Sequence, residues 1–276
     1  MNMLEQTYTL YNGVELPKIG FGTWQIEPGD ETYRAVSKAL RNGYRHIDTA
    51  QAYRNEASVG EAVRNSGIPR EDIFITTKLE SHIKTYDEAL AAFEKSLDAL
   101  KTDYVDLFLI HAPWPWNEVG KDCRTGNREA WKALEKIYEE GRARAIGVSN
   151  FKPNDLEDLI GHCSVVPHVN QIAYFIGLDQ KETVDYCRAK NIFIEAYSPL
   201  GIGYLLSNET IGAMAKRYGV TPAQICIRYD LQKGTAPLPK SVHEDRMIEN
   251  AQVDFRIKDE DMLILDAIED DPRKRG

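Results

Sequence analysis

The 276-residue sequence predicts an α/β chain built by repetition. Three observations predict it. Eight short apolar runs recur, at Ile19–Gly22, Tyr44–Ile47, Ile73–Thr77, Val105–Ile110, Ala143–Val148, His168–Val169, Ile192–Ala196 and Ala236–Leu238. Longer segments with helical spacing of apolar residues fill the intervals. No Pro-, Gly- or Ser-rich linker interrupts the series, so residues 1–276 read as one domain. Strand and helix in alternation argue for parallel pairing with helices covering the sheet. Eight repeats fit a closed (β/α)8 TIM barrel, and an open doubly wound sheet is the competing arrangement. The open sheet would carry a Gly-rich fingerprint after its first strand. Neither Gly20–Phe21–Gly22 nor Gly201–Ile202–Gly203 completes one.

The elements follow in order. Tyr8–Leu10 and Val14–Leu16 flank Tyr11–Asn12–Gly13, and Asn-Gly is a tight-turn signal, so the chain opens on a β-hairpin. Asp30 precedes Tyr33, Val36 and Leu40 at helical spacing, with Gly43 behind them. Thr85 and Glu88 read as a capping box ahead of Leu90, Phe93, Leu97 and Leu100. Asn127 reads as the cap of a helix that carries Trp131, Leu134 and Ile137 and stops at Gly141. Thr221, Pro222 and Gln224 supply a cap, a first-turn proline and a capping-box partner.

Composition narrows the function. Lys plus Arg is 34 and Asp plus Glu is 43, for a net charge of −9. Such a chain is a poor non-specific binder of nucleic acid or anionic membrane. No apolar run approaches the roughly 18 residues that span a bilayer, and Met1–Leu10 lacks the basic and apolar regions of a cleaved signal. Cys123, Cys163, Cys187 and Cys226 make no CxxC, and the histidines make no metal spacing, so no metal is expected. Scattered thiols suit a reducing cytoplasm.

In a barrel, chemistry sits at the C-terminal ends of the strands. The polar residues just beyond the apolar runs are Asp48, Lys78, His111, Ser149–Asn150, Asn170–Gln171, Tyr197–Ser198 and Lys240–Ser241. Asp48, Lys78 and His111, with nearby Tyr53, make an acid system. A carboxylate and an ammonium stabilise each other. A cation beside a phenol favours the phenolate, which lowers the phenol pKa from its ordinary value of about 10. A Tyr so tuned donates a proton to a developing alkoxide, while a neutral imidazole orients the same oxygen. Such a site reduces a carbonyl only with a cofactor, because no side chain supplies a hydride. His46 lies inside a strand pattern and reads as a core residue.

At these positions the chain resembles the aldo-keto reductases, nearly end to end. The segments that carry the resemblance are Gly20–Trp24 (GFGTW), Gly43–Gly60 (GYRHIDTAQAYRNEASVG), Thr76–Leu79 (TTKL), Tyr104–Pro113 (YVDLFLIHAP), Ile146–Phe151 (IGVSNF), Val169–Gln171 (VNQ), Glu195–Gly201 (EAYSPLG) and Pro239–Asn250 (PKSVHEDRMIEN). The resemblance implies a TIM barrel whose N-terminal hairpin closes the bottom. It also implies NADPH, with NADH weaker, bound without a Rossmann domain. By this likeness Asp48, Tyr53, Lys78 and His111 form the catalytic tetrad, with Tyr53 as proton donor. Ser149, Asn150 and Gln171 would meet the nicotinamide carboxamide, and Tyr197 would stack on the ring. Thr23, Ser198, Leu200 and Gly201 would line the cofactor path. Lys240, Ser241, Val242 and Arg246 would hold the 2′-phosphate end, with Glu249 and Asn250 at the adenine.

Trp24 and Trp114, with Tyr53 and His111, would form the substrate pocket, and Trp116 is a further aromatic wall. The sequence departs from many relatives in four places. Ile172–Ile176 lacks the usual Glu, His and Pro, Ala112 stands where an aromatic is common, and His243 and Ile202 replace more usual polar residues. The short stretch after Asn250 implies an open mouth. Asp270–Asp271 and Arg273–Lys274–Arg275 read as a solvated tail. The implied protein is a monomeric cytoplasmic reductase of small-molecule carbonyls. Two rivals remain, a nucleotide-binding sensor or structural protein on the same fold, and a barrel isomerase or aldolase using Lys78 as a Schiff base.

Overall fold

The computed structural model describes residues 2–269. The acidic and basic residues at 270–275 lie outside them. The hairpin forms as expected, with β1 (Thr7–Thr9) and β2 (Glu15–Pro17) paired antiparallel. Eight parallel strands follow: β3 (Phe21–Gly22), β4 (His46–Asp48), β5 (Phe74–Leu79), β6 (Val105–Ile110), β7 (Ala143–Ser149), β8 (Val169–Ala173), β9 (Phe193–Tyr197) and β10 (Ala236–Leu238). They lie side by side in chain order. The eight runs read from sequence all become strands, so the doubly wound alternative is excluded.

Two bonds close the ring. Gly20 N–H donates to Pro237 O and Gly22 N–H to Pro239 O, each at 3.1 Å. The seam is one-way because Pro237 and Pro239 have no N–H to return.

The helices that cover the ring include α1 (Asp30–Arg41), α2 (Glu56–Arg64), α3 (Tyr86–Leu100), α4 (Arg124–Glu139), α5 (Pro153–Ile160) and α6 (Lys181–Ala189), each packed on the next. Then come α7 (Glu209–Tyr218), α8 (Pro222–Gln232), α9 (Glu244–Ala251) and α10 (Asp259–Asp266). The Thr221 box forms on α8, with both reciprocal bonds in place. Two caps differ from expectation. The Thr85 hydroxyl donates to the Glu88 carboxylate at 2.6 Å, so the pair meets side chain to side chain and neither caps the backbone of α3. Asn127 lies inside α4, which starts at Arg124. Its side chain is buried and is held by Lys84 Nζ and Pro113 O.

One core lies between barrel and helices. A second fills the lower barrel, where Leu10, Val14 and Leu16 of the hairpin meet Phe74, Leu107, Leu109, Ala145, Val169 and Ala236 from the strands. The hairpin therefore plugs the N-terminal end, and the other end is left for chemistry.

Candidate active site

Strand alternation builds the site above this plug. In β9, Phe193, Glu195 and Tyr197 share one face, and in β4 His46 and Asp48 share one. Register sets Gly22 beside Asp48 and Asp48 beside Thr76. Around the other side, Ser149, Gln171, Glu195 and Ala236 are lateral neighbours in turn. The lumen thus changes from apolar to polar as the strands rise.

Lys78 is wholly buried on β5. Its Nζ lies 2.7 and 2.8 Å from the two Asp48 carboxylate oxygens and 2.9 Å from Thr49 O, and reaches Tyr53 Oη at 3.4 Å. Tyr53 stands on a 3₁₀ turn, Gln51–Tyr53. Its ring meets His111 edge-on, with centroids 5.6 Å apart. His111 in turn meets Trp116 at 5.5 Å, and Trp116 meets Trp114 at 5.2 Å. Trp116 is thus the tryptophan that touches His111, and Trp114 lies behind it. Trp24 is on the rim and 45% exposed.

The electrostatics follow from burial. Burial opposes the Lys78 ammonium, yet Asp48, and Tyr53 to a lesser degree, hold it above the ordinary lysine value. Burial and then the Lys78 charge bring His111 down to about 3, so the imidazole is neutral at physiological pH. Tyr53 departs from the expected lowering. Lys78 does pull it down, but burial outweighs that pull and Asp48 adds to the rise, so the phenol lies at about 12. With its charge already shared with Asp48, Lys78 leaves Tyr53 firmly protonated.

The other expected residues fall into two groups. Ser149, Asn150, Gln171 and Tyr197 join the tetrad. Gln171 Nε2 donates to Asp48 at 2.8 Å and to Glu195 at 2.9 Å. Asn150, in a left-handed conformation at φ 63°, donates to His111 O and Ser149 Oγ and accepts from Tyr197 Oη at 2.8 Å. Ser149 Oγ donates to Gln171 O, and Thr23 Oγ1 donates to Asp48 O. Ser198 also has a left-handed backbone. Leu200 and Gly201 lead into a 3₁₀ segment, Gly201–Ser207, which exposes Ile202.

The second group lies at the end of β10 and on α9. Ser241 Oγ bonds to His243, Val242 packs on the core, Asn250 is buried, and Glu249 accepts from Thr221 Oγ1. Lys240 and Arg246 are exposed, and among the described residues neither has a carboxylate partner.

Sequence reasoning passed over Glu195, although it opens one of the quoted motifs. The signal was available in the alternation of β9, which puts Glu195 on the same face as Tyr197.

The arrangement accommodates a nicotinamide dinucleotide. His111 Nδ1 is buried with no hydrogen-bond partner. No donor among the described residues meets Gln171 Oε1. Lys240 and Arg246 offer two cations, uncompensated among the described residues, of the kind that hold phosphate.

Comparison with known proteins identifies the family. A family model described as the aldo/keto reductase family matches residues 18–270. Glyoxal reductase of Bacillus subtilis is 45% identical over 98% of this chain and 95% of its own. Morphine 6-dehydrogenase of Pseudomonas putida is 40% identical over 94% of this chain and 90% of its own. The crystal structure of an aldo/keto reductase from Brucella melitensis superposes with a TM-score of 0.88 at 42% identity, covering 94% of this chain and 98% of that one.

Proposed function

The chain belongs to the aldo/keto reductase family, and from that premise we propose that it is an NADPH-dependent reductase of small aldehydes and ketones, with Tyr53 as the proton donor. One observation carries the reading: Lys78 Nζ bridges the Asp48 carboxylate and Tyr53 Oη, while His111 faces the same phenol. A bound nicotinamide supplies the hydride that the protein lacks. Tyr53 holds its proton until negative charge grows on the carbonyl oxygen, then releases it as Lys78 stabilises the phenolate. His111, being neutral, donates a hydrogen bond that orients that oxygen without competing for its proton. Gln171, Ser149 and Asn150 would hold the carboxamide, with Tyr197 against the ring. Thr23, Ser198, Leu200 and Gly201 would run along the pyrophosphate. Lys240, Ser241, Val242 and Arg246 would take the 2′-phosphate, which is the basis for preferring NADPH to NADH, and Glu249 and Asn250 would reach the adenine.

Trp24, Trp114 and Trp116 give the substrate apolar walls beside a polar floor, which suits small aldehydes and dicarbonyls. The likeness to a glyoxal reductase supports that class. We place the enzyme in the cytoplasm as a one-domain monomer without nucleic-acid partners. Among the described residues no helix is long and apolar enough to cross a membrane.

The test is a fluorescence titration with NADPH and with NADH, followed by addition of an aldehyde while the reduced-nicotinamide absorbance is watched. Tighter NADPH binding and aldehyde-dependent oxidation are expected. Binding without oxidation across several carbonyls would leave a sensor, and no binding of either nucleotide would overturn the reading.

A further inference from the structure

Beneath the tetrad lies a second buried carboxyl that the mechanism above does not use. Glu195 is fully buried on β9. Its Oε2 accepts from Gln171 Nε2 at 2.9 Å, and the other hydrogen of that amide goes to Asp48. Its Oε1 is buried with no hydrogen-bond partner. His46 Nε2 stands 3.6 Å from that oxygen but is engaged with Thr76 Oγ1 at 2.9 Å. The His46 ring is pressed into place from behind. A Cβ on Gly20 would come within 2.7 Å of its Nδ1, so only glycine fits there.

The charged and titratable groups facing Glu195 are therefore Asp48 and His46 from β4 and Lys78 from β5. Gln171 comes from β8, and β10 offers only Ala236 beside it. Lys78 is already paired with Asp48. An ionised Glu195 would leave one oxygen unsolvated and set two carboxylates against a single ammonium, which a low-dielectric interior disfavours.

We propose that Glu195 is a positioning residue for the proton donor: protonated, it lets one carboxylate share Lys78, and its ionisation pulls Lys78 away from Tyr53. The proposal rests on the reductase reading above. Burial, and then the charge of Asp48, lift the Glu195 carboxyl to about 8, inside the working range of an enzyme. Gln171 is the mechanical link, because one amide group binds both carboxyls. When Glu195 loses its proton, the added negative charge beside Lys78 makes the Tyr53 phenolate harder to form, so Tyr53 becomes a poorer acid.

Two measurements test this. In the first, kcat for carbonyl reduction is followed from about pH 6 to about pH 10 for wild type and Glu195→Gln. At the acid end the two should agree within about twofold, because glutamine imitates the neutral acid. Above about pH 8 the wild type should fall about three- to tenfold below the variant. Profiles offset by a constant factor at every pH, or superposed throughout, would mean a merely structural residue and overturn the proposal. Glu195→Met, also neutral, should give the same loss of the alkaline limb if Glu195→Gln folds poorly.

The second measurement reads no activity. The infrared difference between wild type and the neutral variant should show a protonated-carboxyl band that vanishes as pH rises through about 8. No such band, or one that survives to the alkaline end, overturns the titration. A wild type that shows the band yet reduces no carbonyl instead overturns the reductase reading.

Discussion

Replacing Lys78 with methionine tests the centre of the site, because it keeps the shape of the side chain and deletes one charge. Lys78 is fully buried and Asp48 nearly so. The substitution removes the ammonium from both oxygens of Asp48 and from Thr49 O, leaving Gln171 as the remaining donor to that carboxylate. Breaking a buried pair from one side costs about 3–5 kcal/mol, since the surviving charge is left in the core. Urea denaturation followed by far-UV circular dichroism at neutral pH should report a loss of that size. Asp48→Asn added to Lys78→Met should restore part of it, because asparagine still accepts from Gln171 and carries no charge. Double-mutant comparison therefore separates the buried charge from the lost packing. A single variant within about 1 kcal/mol of wild type, or a double variant whose cost is the sum of the two single costs, would refute this account of the pair.

Three further outcomes are expected. Tyr53→Phe removes a hydroxyl whose one hydrogen bond among the described residues is to Lys78 at 3.4 Å, so stability should change by less than about 1 kcal/mol while turnover is abolished and NADPH titration is preserved; retained turnover would remove Tyr53 from its place. Arg246→Ala should weaken NADPH binding far more than NADH binding, and equal effects by titration would displace the 2′-phosphate from that side chain. His46 is held neutral at about 3 by burial and then by the Lys78 charge. Between about pH 6.5 and that value the unfolded chain binds a proton that the folded chain refuses. The contribution is therefore present above about pH 6.5 and fades as pH falls, at about 1.4 kcal/mol per unit. Burial pushes Glu195 and Asp230 upward, and they act in the opposite sense. The difference in urea midpoint between wild type and His46→Gln isolates the histidine, and it should narrow on acidification; a constant difference would contradict the sign.

The barrel was legible because its signals are local. Apolar runs, turn residues and helix starts mark each element without knowledge of its neighbours. Thr221 and Gln224 form the box their spacing predicts, whereas Thr85 and Glu88, at the same spacing, meet only through their side chains. Asn127 escaped the same logic, since Pro113 O and Lys84 Nζ approach it from other parts of the chain and draw it inside α4. The tryptophans show the same limit. Trp114 and Trp116 are equal candidates by position, and only the folded loop shows that Trp116 is the one against His111.

The site divides along the same line. Asp48, Lys78, His111 and Gln171 could be found by asking which polar residue follows each apolar run, because barrel strands all end at one face. That rule looks outward from the strand and misses what lies within it. Glu195 and His46 stand one layer deeper, inside the runs themselves, and both are wholly buried. Their weight comes from a meeting across the barrel, where β4, β5, β8 and β9 each place one or two polar side chains in a common interior. The expected direction for Tyr53 failed for the same reason. Pairwise reasoning from Lys78 predicts a lowered phenol. The closed lumen adds burial and a competing carboxylate, and together they outweigh the cation. A strand-end list thus finds most of the polar groups gathered at the open end of the barrel, whereas their charge state is set by the ring as a whole.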